Sequence, residues 1–324
     1  MCIMNNVQRR IHMKKLISIP LILLSILTLS ACSSKEYDIV TSLFPQYDIT
    51  RTIVGDKDLT YTLLLNPGVE AHDFEPTSKQ VVMINNAKLF IYTSDEMEPW
   101  AKNLENNKTT FLNLQLASNE DHDHAHAESI SYSTTDEHDH DHDNLHYWVH
   151  LHNTLHMIEV ILEEIIHLDE KNADYYTNNA NNLKEQVRAI SAKFDQISAL
   201  ETKQLHFVGH NVFSLLNEEK SLNIQSLTDS FSPDADPTST QIQAMLNQII
   251  ETNASYVFYD PLETVILANT IKNDLKSKGY EITLLPLYSM HNVSKSQFES
   301  NTTLLDLWNE NVENIATAYD LELI

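Results

Sequence analysis

The chain has 324 residues and a formal net charge of −25, and its length, about twice that of a typical domain, predicts two lobes that each have a core. A surface this acidic repels nucleic acid and attracts cations, so we expect no nucleic-acid partner. Only four glycines occur, scattered along the chain, and the lack of a glycine-rich phosphate loop argues against nucleotide-dependent chemistry.

The N-terminus has the three parts of a bacterial lipoprotein signal. Met13-Lys-Lys15 is basic, residues 16–29 are mostly apolar, and Leu29-Ser-Ala-Cys32 has the small residues of a cleavage site that ends in cysteine. We expect Met13 to be the true start, residues 1–31 to be removed as a signal peptide, and a lipid on the remaining cysteine to anchor the protein to the cell membrane, outside the cytoplasm. An ordinary secretory signal with an incidental cysteine is the alternative.

Short runs of β-branched and aromatic residues alternate with longer amphipathic segments along the rest of the chain. This alternation is typical of parallel strands covered by helices. It predicts an α/β fold of two lobes, each with a four-stranded parallel sheet flanked by helices. The predicted strands are residues 37–43, 59–65, 88–92, 110–114, 204–208, 222–227, 255–259 and 281–285.

A polar stretch without glycine or proline separates the two sets of strands. Apolar residues recur along it at helical spacing, at Leu183, Val187, Ile190 and Phe194, which predicts one long, rigid helix that joins the lobes. Two shorter helices with a kink between them are the alternative. The predicted domains are an N-terminal lobe at 32–167, the linker helix at 168–202 and a C-terminal lobe at 203–324.

An Asp/His-rich tract lies in the first lobe, within a predicted loop at 119–145. Asp and His alternate in its two segments, Asp121-His-Asp-His-Ala-His126 and His138-Asp-His-Asp-His142. Such clusters bind transition metals and are excluded from packed cores. Because a flexible tract loses conformational entropy on coordination and discriminates poorly among metals, we interpret it as an accessory metal loop. Its candidate ligands are His122, His124, His126, His138, His140 and His142.

Four further histidines stand where predicted strands end or a helix begins. His72 follows the second strand, His146 ends the long loop after the fourth, and His210 and His291 follow the first and last strands of the second lobe. Ligands of open parallel sheets bind beyond the carboxyl ends of the strands. Singly, each histidine has the position of an ordinary loop or capping residue, but together they indicate the four-nitrogen shell that zinc favours.

The motifs around these histidines resemble those of the cluster A-I metal-binding proteins, the zinc and manganese solute-binding lipoproteins of bacterial ABC importers. Four segments carry the resemblance, which extends over essentially the whole mature chain: Pro67-Gly-Val-Glu-Ala-His-Asp-Phe-Glu-Pro76, His146-Tyr-Trp-Val149, Gly209-His-Asn211 and Ser232-Pro-Asp-Ala-Asp-Pro-Thr238. The resemblance implies that His72, His146 and His210 bind the metal in a cleft between two lobes joined by a long backbone helix. It also implies a histidine-rich loop before the second ligand in zinc-binding members.

The fourth ligand varies in that family between carboxylate, histidine and water. No acidic residue occurs at 284–298, where the last strand ends and the following loop begins. We therefore choose His291. Asp260 and Glu263, which follow the seventh strand, and Glu70 in the first loop are the alternatives.

The ligand types indicate the metal. Three or four imidazoles suit Zn²⁺, whereas manganese sites of this family resemble two imidazoles with two carboxylates. The resemblance therefore implies a monomeric, non-enzymatic receptor that captures Zn²⁺ and delivers it to an ABC permease in the membrane. A manganese or iron receptor of the same family is the main alternative. A zinc hydrolase would need an open coordination position and a general base, and a surface adhesin would also be compatible with a lipid anchor.

Overall fold

The computed structural model describes residues 36–117, 146–231 and 236–324, and the described residues from Tyr37 onwards belong to one compact unit. No helix in these described ranges is long and apolar enough to cross a membrane. The predicted signal peptide and the accessory loop lie outside the described residues. The individual residues concerned are Cys32, His122, His124, His126, His138, His140 and His142.

Two four-stranded parallel sheets form the centre of the fold, as the sequence predicts. The strands are β1 (Ile39–Thr41), β2 (Tyr61–Leu63), β3 (Leu89–Tyr92), β4 (Thr110–Asn113), β5 (Leu205–Val208), β6 (Ile224–Ser226), β7 (Tyr256–Tyr259) and β8 (Thr283–Pro286). The order is β2-β1-β3-β4 in one sheet and β6-β5-β7-β8 in the other, and all pairs are parallel. In each sheet the chain reverses its direction of winding at the first strand, which creates a crevice at the carboxyl ends where ligands bind.

Helices cover both sheets. Those in the described ranges are α1 (Phe44–Val54), α2 (Ser78–Asn86), α3 (Leu114–Ala117), α4 (Leu151–Leu168), α5 (Ala173–Ser198), α6 (Ser214–Lys220), α7 (Ser239–Glu251), α8 (Val265–Ser277), α9 (Lys295–Glu299) and α10 (Leu304–Ala318). The sequence motif Thr-x-x-Gln begins α2 and α7. In each, the threonine side chain accepts a hydrogen bond from the backbone N–H of the glutamine, and the glutamine side chain accepts one from the backbone N–H of the threonine. These reciprocal bonds fix where the two helices begin.

The linker is one helix, as predicted, but it is shorter than the predicted range. α5 has 26 residues and begins at Ala173 rather than at residue 168. The preceding helix, α4, ends at Leu168, and Asp169 then accepts hydrogen bonds from the side chains of Asn172 (2.6 Å) and Tyr176 (2.7 Å). This Asp-centred turn interrupts the helical path. The apolar positions used for the prediction are all buried: Leu183, Val187, Ile190 and Phe194.

The hydrophobic core is continuous between the lobes. One cluster of buried apolar side chains includes residues of β1 and β3 from the first sheet, of β5 from the second, and of α4, α5 and α10. Smaller clusters lie within the individual lobes. A shared apolar interface of this kind opposes large movements of one lobe against the other.

Replacement of Phe194 by alanine tests how much the linker helix contributes to this shared core. Phe194 is fully buried on α5, and its ring meets that of Trp308 edge to face at a centroid distance of 5.8 Å. Phe194→Ala should lower the free energy of unfolding by about 3–5 kcal/mol, through lost transfer energy and an unfilled cavity. Urea denaturation measures the change. Glu185→Ala, at an exposed position of the same helix, should stay within about 0.5 kcal/mol. Equal effects of the two substitutions would contradict a shared core.

Candidate metal centre

The four predicted histidines meet where the carboxyl ends of the two sheets face each other. His72 lies in the loop after β2, His146 directly before the 3₁₀-helix Tyr147–Val149, and His210 and His291 in the loops after β5 and β8. The ring centroids of the first three lie 5.0–5.3 Å apart, and that of His291 lies 6.0 Å from that of His72. Residues that are far apart in the sequence therefore converge on one site.

Three of these imidazoles have the spacing of ligands to a common ion. His146 Nε2 lies 3.2 Å from His72 Nε2 and 3.1 Å from His210 Nε2. Candidate ligand atoms of the three residues all lie within 4.8 Å of one another. Ligand nitrogens around a tetrahedral zinc ion, at Zn–N distances of about 2.0–2.1 Å, are separated by about 3.3–3.4 Å. The three Nε2 atoms thus suit a single zinc-sized cation.

Burial keeps the imidazoles of His146, His210 and His291 uncharged. The exposed fraction is 0% for His146, 4% for His210 and 1% for His291. Burial and the neighbouring histidines lower the pKa of His210 to about 3 and hold that of His146 well below its ordinary value, and burial also lowers the pKa of His291 to about 4. At neutral pH the rings are therefore neutral, which is the form that binds a metal.

Glu70 lies behind His72. Its Oε1 is 2.6 Å from His72 Nδ1 and also accepts a hydrogen bond from the backbone N–H of His72, at 3.0 Å. Burial opposes ionisation of this carboxyl group, but the hydrogen bonds from His72 outweigh it and lower the pKa of Glu70 to about 2. Such a carboxylate fixes the orientation of the ring and leaves Nε2 to face the ion.

Glu263 lies between the two histidines of the second lobe. Its Oε2 is 3.4 Å from His210 Nδ1, and its Oε1 is 3.1 Å from His291 Nε2. Burial, together with the charges of Asp260 and Glu70, raises the pKa of Glu263 to about 9. The residue can thus orient His210 from behind, or offer an oxygen ligand at the point that His291 Nε2 faces.

The candidates for the fourth ligand have different surroundings. His291, Glu70 and Glu263 form a second group of candidate ligand atoms within 4.8 Å of one another. Asp260 instead bonds to its own loop and to the loop after β8, because Oδ1 accepts from the Leu262 amide and Oδ2 from the Ser289 amide, both at 2.7 Å. This arrangement favours a structural role for Asp260.

Sequence reasoning did not find the side chains that connect the loops at the site. Trp148 is fully buried and donates its indole N–H to the backbone oxygen of Ser289, at 2.7 Å. The hydroxyl of Ser289 in turn lies 2.7 Å from His291 Nδ1. The one signal in the sequence was position, since each of the two polar groups lies two residues from a predicted ligand.

A cavity of about 410 Å³ adjoins His72 on the first lobe. Phe74 and Trp100, whose rings meet edge to face, form its apolar wall, while Asp73 and Glu75 are exposed beside it. Carboxylates at such an opening raise the local concentration of cations.

Comparison with known proteins places the chain in a family. Residues 39–318 match the family model described as "ZnuA: Zinc-uptake complex component A periplasmic". The chain belongs to this family. Its fold and sequence thereby confirm the resemblance noted from the histidine motifs.

Relatives in the family match this chain at low sequence identity but over most of its length. The high-affinity zinc uptake system protein ZnuA of Bacillus subtilis (strain 168) is 26% identical over 285 residues, which cover 85% of each chain. The zinc-binding lipoprotein AdcA of Streptococcus pneumoniae serotype 4 is 26% identical over 294 residues, which cover 86% of this chain and 56% of AdcA. The chain thus spans little more than half the length of that relative.

Solved structures share the fold. The metal-dependent lipoprotein YcdH from Bacillus subtilis has a TM-score of 0.68 at 22% identity, with 88% of this chain and 99% of YcdH covered. The Zn(II)-bound ZnuA-like domain of Streptococcus pneumoniae AdcA has a TM-score of 0.68 at 19% identity, with 88% and 100% covered. The predicted architecture of two sheets and a long helix is therefore confirmed.

The lowered pKa values predict that the metal-free protein is less stable in acid. An unfolded histidine titrates near pH 6.5, so between there and the folded pKa values of about 3 to 4 the unfolded chain binds more protons. The free energy of unfolding should fall as the pH drops below about 6.5, by up to about 1.4 kcal/mol per pH unit for each such group. Among the groups with large shifts, Glu98 and Glu263, whose pKa values are raised to about 7 and about 9, have the opposite sign, but they are outnumbered by His146, His206, His210 and His291.

Urea denaturation at pH 7.0, 6.0 and 5.0 measures this dependence. His210→Gln, which cannot titrate at this position, should make the pH dependence less steep. Equal slopes for His210→Gln and the unaltered protein would contradict the assignment.

Proposed function

We propose that this chain is the extracytoplasmic receptor of a zinc importer, which captures Zn²⁺ between its two lobes and delivers it to an ABC permease. The observation that carries the proposal is the approach of three imidazole nitrogens, two of them on the buried and uncharged rings of His146 and His210, to within 3.1–3.2 Å of their neighbours. Membership of the zinc-uptake family supports it, as does the name of the Bacillus subtilis relative. The protein acts as a monomer, held to the membrane by a lipid on Cys32.

The ligand set that we propose is His72, His146, His210 and His291. The Ser289 hydroxyl contacts Nδ1 of His291, so Nε2 is the nitrogen that faces the site. Four nitrogen donors suit Zn²⁺ better than Mn²⁺ or Fe²⁺, which accept more oxygen ligands. Anomalous diffraction from the metal-loaded protein, with elemental analysis, identifies both the ion and the fourth ligand, including Glu263 or Glu70 in place of His291.

A binding role fits this site better than catalysis. A hydrolytic zinc site keeps an open coordination position for water, with a general base beside it. Here side chains from four loops surround the site, and the nearest carboxylates contact imidazole nitrogens. A carrier of the ion requires a site of this kind, in which side chains surround the ion and no coordination position is kept open for water.

Loss of one imidazole should weaken zinc binding strongly. His72→Ala, His146→Ala and His210→Ala should each raise the Kd for Zn²⁺ more than about a hundredfold, because even the outer partners of metal ligands contribute about 10–100-fold. Competition with a chromophoric chelator measures Kd. His152→Ala, at an exposed position of α4, should bind as the unaltered protein does. Unchanged tight binding in all three ligand variants would refute the site.

Deletion of residues 121–142 should leave one tight zinc site. The proposed accessory loop raises the local metal concentration, so its removal should lower the number of weakly bound ions and slow loading at low zinc, with little change in the Kd of the tight site. Isothermal titration calorimetry separates the two classes of binding. Loss of tight binding on deletion would show that the tract is itself the specific site.

A further inference from the structure

The loop after β8, residues 288–293, which we call the strap, is buried along its whole length. None of its residues is more than 9% exposed, although the segment has no regular secondary structure. Met290, in its middle, has a φ of +65°, a conformation that a non-glycine residue adopts only when its surroundings enforce it. The next residue is the proposed ligand His291. The strap is thus a rigid support for one side of the metal site.

One side chain of the strap bonds to the loop that carries His72. Asn292 donates from Nδ2 to the backbone oxygens of Asn66 (2.9 Å) and Val69 (2.8 Å). Beside it, the Gly68 amide donates to the backbone oxygen of Val293, at 2.8 Å. Three hydrogen bonds therefore join residues 66–69 of the His72 loop to the two residues that follow His291.

The amide of Asn292 is fully used in this arrangement. Its two N–H donors reach two carbonyl groups, its Oδ1 accepts from the Val293 amide at 2.8 Å, and the residue is 1% exposed. A carboxylate of the same shape would place an oxygen against two carbonyl oxygens. Only a side chain that both donates twice and accepts once satisfies these groups without water.

We propose that Asn292 is a positioning residue of the metal site, which latches the His72 loop to the His291 loop and thereby slows release of the ion. The inference rests on the proposed function, because it concerns the same four ligands. Ligands from two lobes that are already held in place lose less conformational freedom when they bind an ion. Without the latch, His72 separates from the other imidazoles more often, and the bound ion leaves faster.

Two substitutions test the latch against one matched control. Asn292→Ala removes both donors, and Asn292→Asp keeps the shape but replaces the donors by oxygen. Asn217→Asp is the control, because Asn217 makes the same kind of paired contacts with Ile224 (2.9 and 3.0 Å) between α6 and β6, and it contacts none of the four ligand histidines.

Two measurements follow each variant. In the metal-free protein, hydrogen exchange of amides 64–72 should speed up in both Asn292 variants and not in the control. Zinc release into excess chelator, followed by stopped flow, should be about tenfold to a hundredfold faster, the effect expected of two buried hydrogen bonds.

Unchanged exchange at 64–72 would overturn the latch. So would unchanged zinc release despite faster exchange, or equal effects of Asn217→Asp, which would indicate general destabilisation. If the unaltered protein did not bind zinc tightly, the proposed function would fail, while the exchange measurement would still decide whether Asn292 holds the two loops together.

Discussion

The structure depends on one electrostatic constraint, the close approach of uncharged imidazole nitrogens in a buried space. His146 is fully buried between His72 and His210, and protonation of His146 or His210 would place a positive charge where water does not reach and against a neighbouring ring. A cation coordinated by the lone pairs is the one charge that the three rings attract together. The same arrangement therefore makes the site unfavourable for protons and favourable for a soft divalent metal.

Such a site requires a rigid scaffold that holds the two lobes in a fixed relative position. The three nitrogens come from loops at the ends of two different sheets, so their spacing depends on how the lobes are fixed to each other. The continuous apolar core along α4, α5 and α10 supplies that fixation at a distance. Near the ion, hydrogen bonds of Trp148 and Asn292 to backbone groups across the cleft supply it locally. The proposed zinc receptor is therefore rigid around the site, although it must eventually release the ion.

The carboxyl groups of Glu70 and Glu263 contact the imidazole rings of the site. Glu70 orients His72 and is stabilised as an anion, whereas Glu263 is buried deeply enough that its ionisation is disfavoured. A bound cation would reverse the disfavoured ionisation, because opposite charges a few ångströms apart in a poorly solvated region attract strongly. The two glutamates therefore differ in how they respond to a bound cation. Glu70 is already ionised before the ion binds, whereas Glu263 becomes easier to ionise when the ion is bound.

The sequence by itself determined the local features. Runs of β-branched residues located all eight strands, and the spacing of Leu183, Val187, Ile190 and Phe194 revealed the linker helix, because strand and helix periodicities are properties of neighbouring residues. Histidines at strand ends indicated the metal site for the same reason. Only the tertiary structure decided which groups share the site and that Ser289 and Asn292 support the ligands. Those outcomes rest on contacts between residues as many as 226 positions apart, and no local pattern records which distant backbone oxygen an amide will reach.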